Sequence, residues 1–313
     1  MIEWKRRDLL DLQSLSKEEI ELILETAKSF RQVSARDVKK VPALRGKTVV
    51  LLFFEPSTRT RTSFELAAKR LSADVVNIAS SATSLSKGES ILDTALNLEA
   101  MNVDMIVVRH QSAGVPYILS QHLKAAVINA GDGCREHPTQ GLLDIFTIKE
   151  KLGRIQGLRV AIVGDILHSR VARSNIWGLK ALGAHVTVCG PATLMPMCVK
   201  DLGVEVSHDL EATMKKNDCL IVLRLQTERQ QDSFLPSIRE YARLFGVSQA
   251  KLEKAGKNLL IMHPGPTNRG VEIAADVADG EQSVILEQVT NGVAIRMAIL
   301  YLLLGAKGNE DKI

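Results

Sequence analysis

Short apolar runs recur along the chain, and each is followed by a longer stretch whose apolar positions fall three and four apart. The runs at 48–54, 75–79, 105–108 and 126–129 read as buried strands, and the segments from Arg59, from Glu89, near Tyr117 and from Thr139 read as the helices between them. Strand and helix in alternation predict βαβ units, hence a parallel sheet. A second series follows Gly157: strands at 159–163, 185–189, 219–223 and 258–262, with a helix through Trp177 and Leu182 after the first of them. The chain opens on an amphipathic helix, announced by the capping box Ser16-Lys17-Glu18-Glu19 and carried by Ile20, Leu24, Ala27 and Phe30. It closes on a helix over 287–304. The expected fold is α/β, with two doubly wound domains around central parallel sheets. The polar junction at 149–156 is the expected seam, dividing 1–150 from 151–286.

Composition narrows the class. A chain of 313 residues with 45% hydrophobic and 24% charged residues suits two soluble domains with their own cores. The formal net charge is +4, the cations are scattered among acids, and only 4% of residues are aromatic, so a nucleic-acid partner is not expected. Such a mild excess suits small anionic substrates. Cys134, Cys189, Cys198 and Cys219 form no Cys-x-x-Cys pair and, with the seven histidines, no zinc spacing, so we expect no metal, no other cofactor and no disulfide framework. The first residues lack a signal-peptide apolar core, and the apolar stretch 293–304 is broken by Arg296 and falls short of the ~20 residues a membrane span needs. A cytoplasmic protein with no membrane partner is expected.

The most informative segment begins where the first strand ends, at Phe53-Phe54-Glu55-Pro56-Ser57-Thr58-Arg59-Thr60-Arg61. A strand that breaks at a proline and reopens as a helix start rich in hydroxyl and guanidinium donors is suited to an anion. The first backbone N–H groups of a helix have no internal partner, and the macrodipole is positive there. Capping alone does not require five donor-bearing side chains in a row. No Gly-x-x-x-x-Gly-Lys-[Ser/Thr] occurs, so the expected ligand is a small phosphate ester or acyl phosphate rather than a nucleotide. A dinucleotide site is likewise excluded: Val160-Ala161-Ile162-Val163-Gly164 resembles a first Rossmann strand, but Asp165, Ile166, Leu167 and His168 follow in place of the glycine fingerprint.

Ser57-Thr58-Arg59-Thr60-Arg61 resembles the carbamoyl-phosphate motif of the transcarbamoylase family. The resemblance extends through His137-Pro138-Thr139-Gln140, Arg224-x-Gln226-x-Glu228-Arg229 and His263-Pro264-Gly265-Pro266, in the family's order along nearly the whole chain. It implies that the final helix, 287–313 with its tail, packs back on the first domain. It also implies transfer of a carbamoyl group from carbamoyl phosphate to the α-amine of L-aspartate, a step of pyrimidine biosynthesis, without a covalent intermediate.

The roles implied by the resemblance follow the motifs. Ser57, Thr58, Arg59 and Thr60 hold the phosphate, joined by Arg109 from the end of the third strand run. His137, Thr60 and Arg109 donate to the carbonyl oxygen as it gains charge, and Gln140 holds the carbamoyl nitrogen. Backbone carbonyls of Pro264 and Gly265 face the same nitrogen; Gly265 stands where other members carry leucine, a change expected to matter little. Arg170, Arg224 and Gln226 match the positions that grip the aspartate carboxylates, for which guanidinium forks are suited. No side chain is required as base, since the departing phosphate can take the proton. The polar loop 81–89 matches the family segment that reaches a neighbouring active site, so Ser84 and Lys87 are expected to be shared ligands in a homotrimer. Ornithine as the acceptor and a non-catalytic phosphate-ligand sensor are the competing readings. Whether the trimer joins a regulatory chain or a dihydroorotase stays open.

Overall fold

The computed structural model describes residues 3–34, 36–79, 89–226, 234–256 and 258–305. Ser84 and Lys87, like Glu228 and Arg229, lie outside the described residues. The chain divides into two compact units, Met1–Leu142 with Thr290–Ile313, and Leu143–Val289.

In the first unit the order is α1 (Lys17–Ser34), β1 (Thr48–Phe53), α2 (Thr58–Arg70), β2 (Asp74–Ala79), α3 (Ile91–Glu99), β3 (Met105–His110), α4 (Val115–His122), β4 (Ala126–Asp132) and the start of α5 (Pro138–Leu152). The capping box forms as expected: Glu19 N–H donates to Ser16 Oγ at 3.2 Å, and Ser16 N–H to Glu19 Oε2 at 2.8 Å. The sheet is parallel with strand order β2-β1-β3-β4. Val49 to Leu52 of β1 are fully buried, which explains an unbroken apolar run where a half-exposed strand would alternate. Each such side chain contributes about 1.5–3 kcal/mol of hydrophobic stabilisation.

The second unit continues through β5 (Arg159–Val163), α6 (Arg170–Ala181), β6 (His185–Cys189), β7 (Glu205–Ser207), α7 (Leu210–Lys216), β8 (Cys219–Val222), α8 (Ile238–Phe245), α9 (Gln249–Ala255), β9 (Leu260–Met262), α10 (Ala275–Ala278) and the start of α11 (Ile285–Leu300). Its parallel sheet runs β7-β6-β5-β8-β9. Both sheets and their flanking helices agree with the fold expected from the sequence. The sequence pattern did not reveal β7 or α7 to α10, which have three to eight residues each and too few turns to display a period.

The last helix is longer than its apolar stretch. With a π-helical turn over Tyr301–Gly305 it spans 21 residues, enough by length and hydropathy to cross a bilayer, yet about two thirds of its apolar window is buried inside the protein. Within the first unit Arg296 Nη1 donates to Ser63 Oγ at 2.8 Å, its guanidinium lies 5.1 Å over the Phe64 ring, and Tyr301 meets Phe30 edge-on at 5.6 Å. This is a core helix packed on α2 and α1. All four cysteines are free, with Cys189 and Cys219 buried and their thiols pushed up by desolvation.

At the ends of β5 and β6 two backbones come very close. A Cβ on Gly190 would lie 2.4 Å from the Gly164 carbonyl oxygen, and Gly164 itself has φ +127°. Gly190→Ala therefore has to push two strand ends apart, at a cost near the top of the ~1–3 kcal/mol range for overpacking. A clearly lowered urea midpoint is the expected result, and an unchanged one would refute the close approach.

Candidate active site

Each motif from the sequence follows a strand of a parallel sheet, so all of those in one unit emerge along the carboxyl edge of that sheet. In the first unit β1 leads to Ser57–Thr60, its neighbour β3 carries Arg109, and the next strand, β4, leads to His137 and Gln140. The order β2-β1-β3-β4 reverses between β1 and β3, the switch point where ligands of open α/β sheets collect.

Ser57 is the N-cap of α2 with extended backbone (φ −160°), but its side chain makes no capping bond, and the first turn carries no acid. Such a start keeps its positive end for another anion. Thr58 and Arg59 are exposed, Ser57 is half-buried and Thr60 is buried. Register places Arg109 beside Phe53, and Phe54 N–H donates to the Arg109 carbonyl at 2.9 Å. The Arg109 side chain is fixed from two sides, by the Ala130 carbonyl at 3.2 Å from Nη1 and by Glu55 Oε2 at 3.2 Å from Nε. Glu55 was not singled out from the sequence; its place two residues before the helix cap was the available signal.

His137 and Gln140 are both buried, His137 just before Pro138 opens α5. The backbone N–H groups of Gln140 and Gly141 donate to the His137 carbonyl at 2.9 and 3.1 Å, so the imidazole sits on a rigid helix start. The loop before it is held by two buried acids that sequence reasoning missed. Asp132 accepts from Asn129 Nδ2, Gly114 N–H and Glu136 N–H at 2.9, 2.7 and 3.1 Å, and Glu136 accepts from Leu12 N–H at 2.9 Å. Asn129 and Glu136 are close to Asp132 in sequence, but Gly114 and the Leu12 that meets Glu136 are remote, so no local pattern marks the two acids as buried braces.

The second unit repeats this plan on β5, β8 and β9, neighbours in the order β7-β6-β5-β8-β9, with the reversal between β5 and β8. After β5, Asp165 accepts from the His168 ring at 2.9 Å and from His168 N–H at 3.1 Å, and Ser169 caps α6, whose first residue is Arg170. Arg170 is only 3% exposed, so it is not the solvated surface arginine that its residue type would suggest. Arg224 and Gln226, both half-buried, follow β8. After β9 come His263, Pro264 and Gly265; Gly265 has φ +65°, a left-handed conformation in which a leucine would be strained. Among the described residues no group of three His, Cys, Asp or Glu side chains could hold a metal ion.

Comparison with known proteins agrees with this division of motifs. A family model described as aspartate/ornithine carbamoyltransferase, carbamoyl-P binding domain, matches residues 7–150, and one described as the Asp/Orn binding domain matches 156–303. The aspartate carbamoyltransferase catalytic subunit of Heliobacterium modesticaldum is 58% identical over 306 residues, 98% of each chain. Among solved structures, aspartate transcarbamoylase from Trypanosoma cruzi in complex with carbamoyl phosphate superposes with a TM-score of 0.87 at 30% identity, covering 96% of this chain and 97% of that one. The ornithine carbamoyltransferase of Pyrococcus furiosus gives 0.86 at 32% identity, covering 97% and 99%. With two family models spanning nearly its whole length and near-full-length relatives at such identity, this chain belongs to the aspartate/ornithine carbamoyltransferase family.

Proposed function

We infer that the protein is an aspartate carbamoyltransferase, moving the carbamoyl group of carbamoyl phosphate to the α-amine of L-aspartate with release of phosphate. The observation that carries this reading is that each unit has its own switch point. One is an acid-free helix start with Ser57, Thr58, Arg59 and Thr60 beside Arg109; the other brings the buried Arg170 and the half-buried Arg224 to neighbouring strand ends. An acyl phosphate suits the first. A dicarboxylate suits the second, because guanidinium groups take carboxylates in bidentate fashion, whereas the side-chain ammonium of ornithine needs anions instead.

In this reading residues 1–150 with 287–313 bind carbamoyl phosphate, and 151–286 bind aspartate. Thr60, Arg109 and His137 donate to the carbonyl oxygen as the amine attacks, Gln140 and the carbonyls of Pro264 and Gly265 hold the carbamoyl amino group, and the leaving phosphate takes the proton. The unit is a cytoplasmic homotrimer in which Ser84 and Lys87 complete the neighbouring site. Assembly with a regulatory chain or a dihydroorotase is a separate question of surface.

The test is carbamoyl-phosphate-dependent ureido product formation with L-aspartate and L-ornithine in parallel, and Arg59→Ala as the blank. Turnover is expected with aspartate alone and is lost in the variant. Turnover with ornithine would overturn the dicarboxylate site, and phosphate binding without turnover on either would favour a sensor.

A further inference from the structure

The loop after β9 is held by a buried polar assembly that no motif marks. His263 and Glu272 are almost completely buried, while Pro264 and Gly265 between them are half-exposed at the sheet edge. His263 Nδ1 accepts from Gly265 N–H at 2.8 Å. An accepting Nδ1 carries no proton, so the ring proton is on Nε2, and this donates to Glu272 Oε1 at 3.2 Å. The same carboxylate oxygen accepts from Asn268 N–H, so Glu272 ties together the two ends of the loop 263–268.

The backbone of His263 is fixed as well. Its N–H donates to Gln288 Oε1 at 2.9 Å, Gln288 Nε2 donates to Asp144 Oδ1 at 2.7 Å, and Asn175 Nδ2 donates to Asp144 Oδ2 at 2.8 Å. The main chain from which the ring projects is therefore held in place, and the ring itself is held by its bonds to Gly265 N–H and Glu272. Glu272 in turn accepts from Val247 N–H through its own carbonyl at 3.0 Å, so its main chain is held too.

A carboxylate is a costly residue for this place. Glu272 Oε2 is buried and has no hydrogen-bond partner among the described residues, and Oε1 meets a neutral ring and a backbone amide rather than a cation. Packing alone would be served better by an apolar side chain. What the carboxylate supplies is an acceptor that selects one imidazole tautomer, and that tautomer is the one able to accept from Gly265 N–H.

We propose that Glu272 is a positioning residue for the carbamoyl donor: acting through His263, it sets the backbone of Pro264 and Gly265 so that their carbonyls meet the carbamoyl amino group. This rests on the carbamoyltransferase reading. Glu272 touches no substrate. Its effect should fall on the carbamoyl half of the donor, which the loop holds, and not on the phosphate half, which Ser57 to Thr60 hold.

The experiment measures, on the full-length enzyme, kcat and KM for carbamoyl phosphate together with the inhibition constant of inorganic phosphate. Glu272→Leu is expected to lower kcat/KM for carbamoyl phosphate by about ten- to a hundredfold, the scale of a misplaced binding group, with phosphate inhibition within twofold of the parent. Glu272→Gln keeps an acceptor oxygen for His263 Nε2 and should recover most of the loss. If Glu272→Leu does not fold, Glu272→Asp, which withdraws the acceptor by one methylene, should give the same selective loss. Parent-like kcat/KM in the folded variant, or equal weakening of carbamoyl phosphate and phosphate, would overturn the proposal. A parent enzyme inactive with both acceptors would overturn the carbamoyltransferase reading and this inference with it.

Discussion

Replacing His137 by alanine should lower kcat by about 10²–10³, the usual loss for one donor to a developing oxyanion, with a much smaller change in KM for carbamoyl phosphate. The ground-state carbonyl is a modest acceptor, whereas the tetrahedral intermediate carries a full charge on that oxygen. A donor fixed in advance therefore stabilises the transition state selectively. In the proposed scheme His137 is such a group: it is 4% exposed, precedes Pro138 at the start of α5, and its carbonyl is bound by the amides of Gln140 and Gly141. The loop behind it is braced by Asp132 and Glu136. His137→Gln, which retains an N–H donor, should recover part of the rate. Because the proton of the amine goes to the leaving phosphate in this scheme, the alanine variant should keep the shape of the parent pH–rate profile. Loss of one limb of that profile would instead identify His137 as a base, and a kcat within threefold of the parent would remove it from the chemistry.

The same residues explain what was legible in the sequence. The strand–helix junction at Ser57 to Arg61 is a local event, in which an apolar run, a proline and a row of donors follow one another, so one window of sequence holds the whole signal. The parallel sheets follow from alternation, which is again local. Burial of Arg170 was not legible, because an arginine at the first position of a helix reads by residue type as solvated, and only the fold shows it 3% exposed. The braces were hidden for a different reason: Glu136 meets Leu12, and Gln288 meets both Asp144 and His263, at sequence separations that leave no pattern. The final helix was legible: the expected 287–304 lies within the observed Ile285–Gly305, and the polar Gln288, Asn291 and Arg296 inside it are all buried, so polarity there does not mark a helix boundary.

The sharpest consequence of shared sites concerns mixtures of dead proteins. In the proposed homotrimer, Arg59→Ala removes a phosphate ligand from a subunit's own site, and Lys87→Ala removes the side chain that this subunit would lend to its neighbour. Each homotrimer should be almost inactive. In a hybrid trimer, a site is intact when the subunit holding it carries Lys87→Ala, and so has its own Arg59, while the lending neighbour carries Arg59→Ala, and so has its own Lys87. In a closed ring of three, every mixed trimer has one such site whichever way the subunits are arranged, and random 1:1 reassembly restores about a quarter of all sites. Activity should thus rise from near background to about a quarter of the parent's after denaturation and joint refolding, and should not rise when the two trimers are merely mixed. No recovery in hybrids whose mixed composition is verified by mass would mean that each subunit completes its own site, and the role of Lys87 would then have to be found within its own chain.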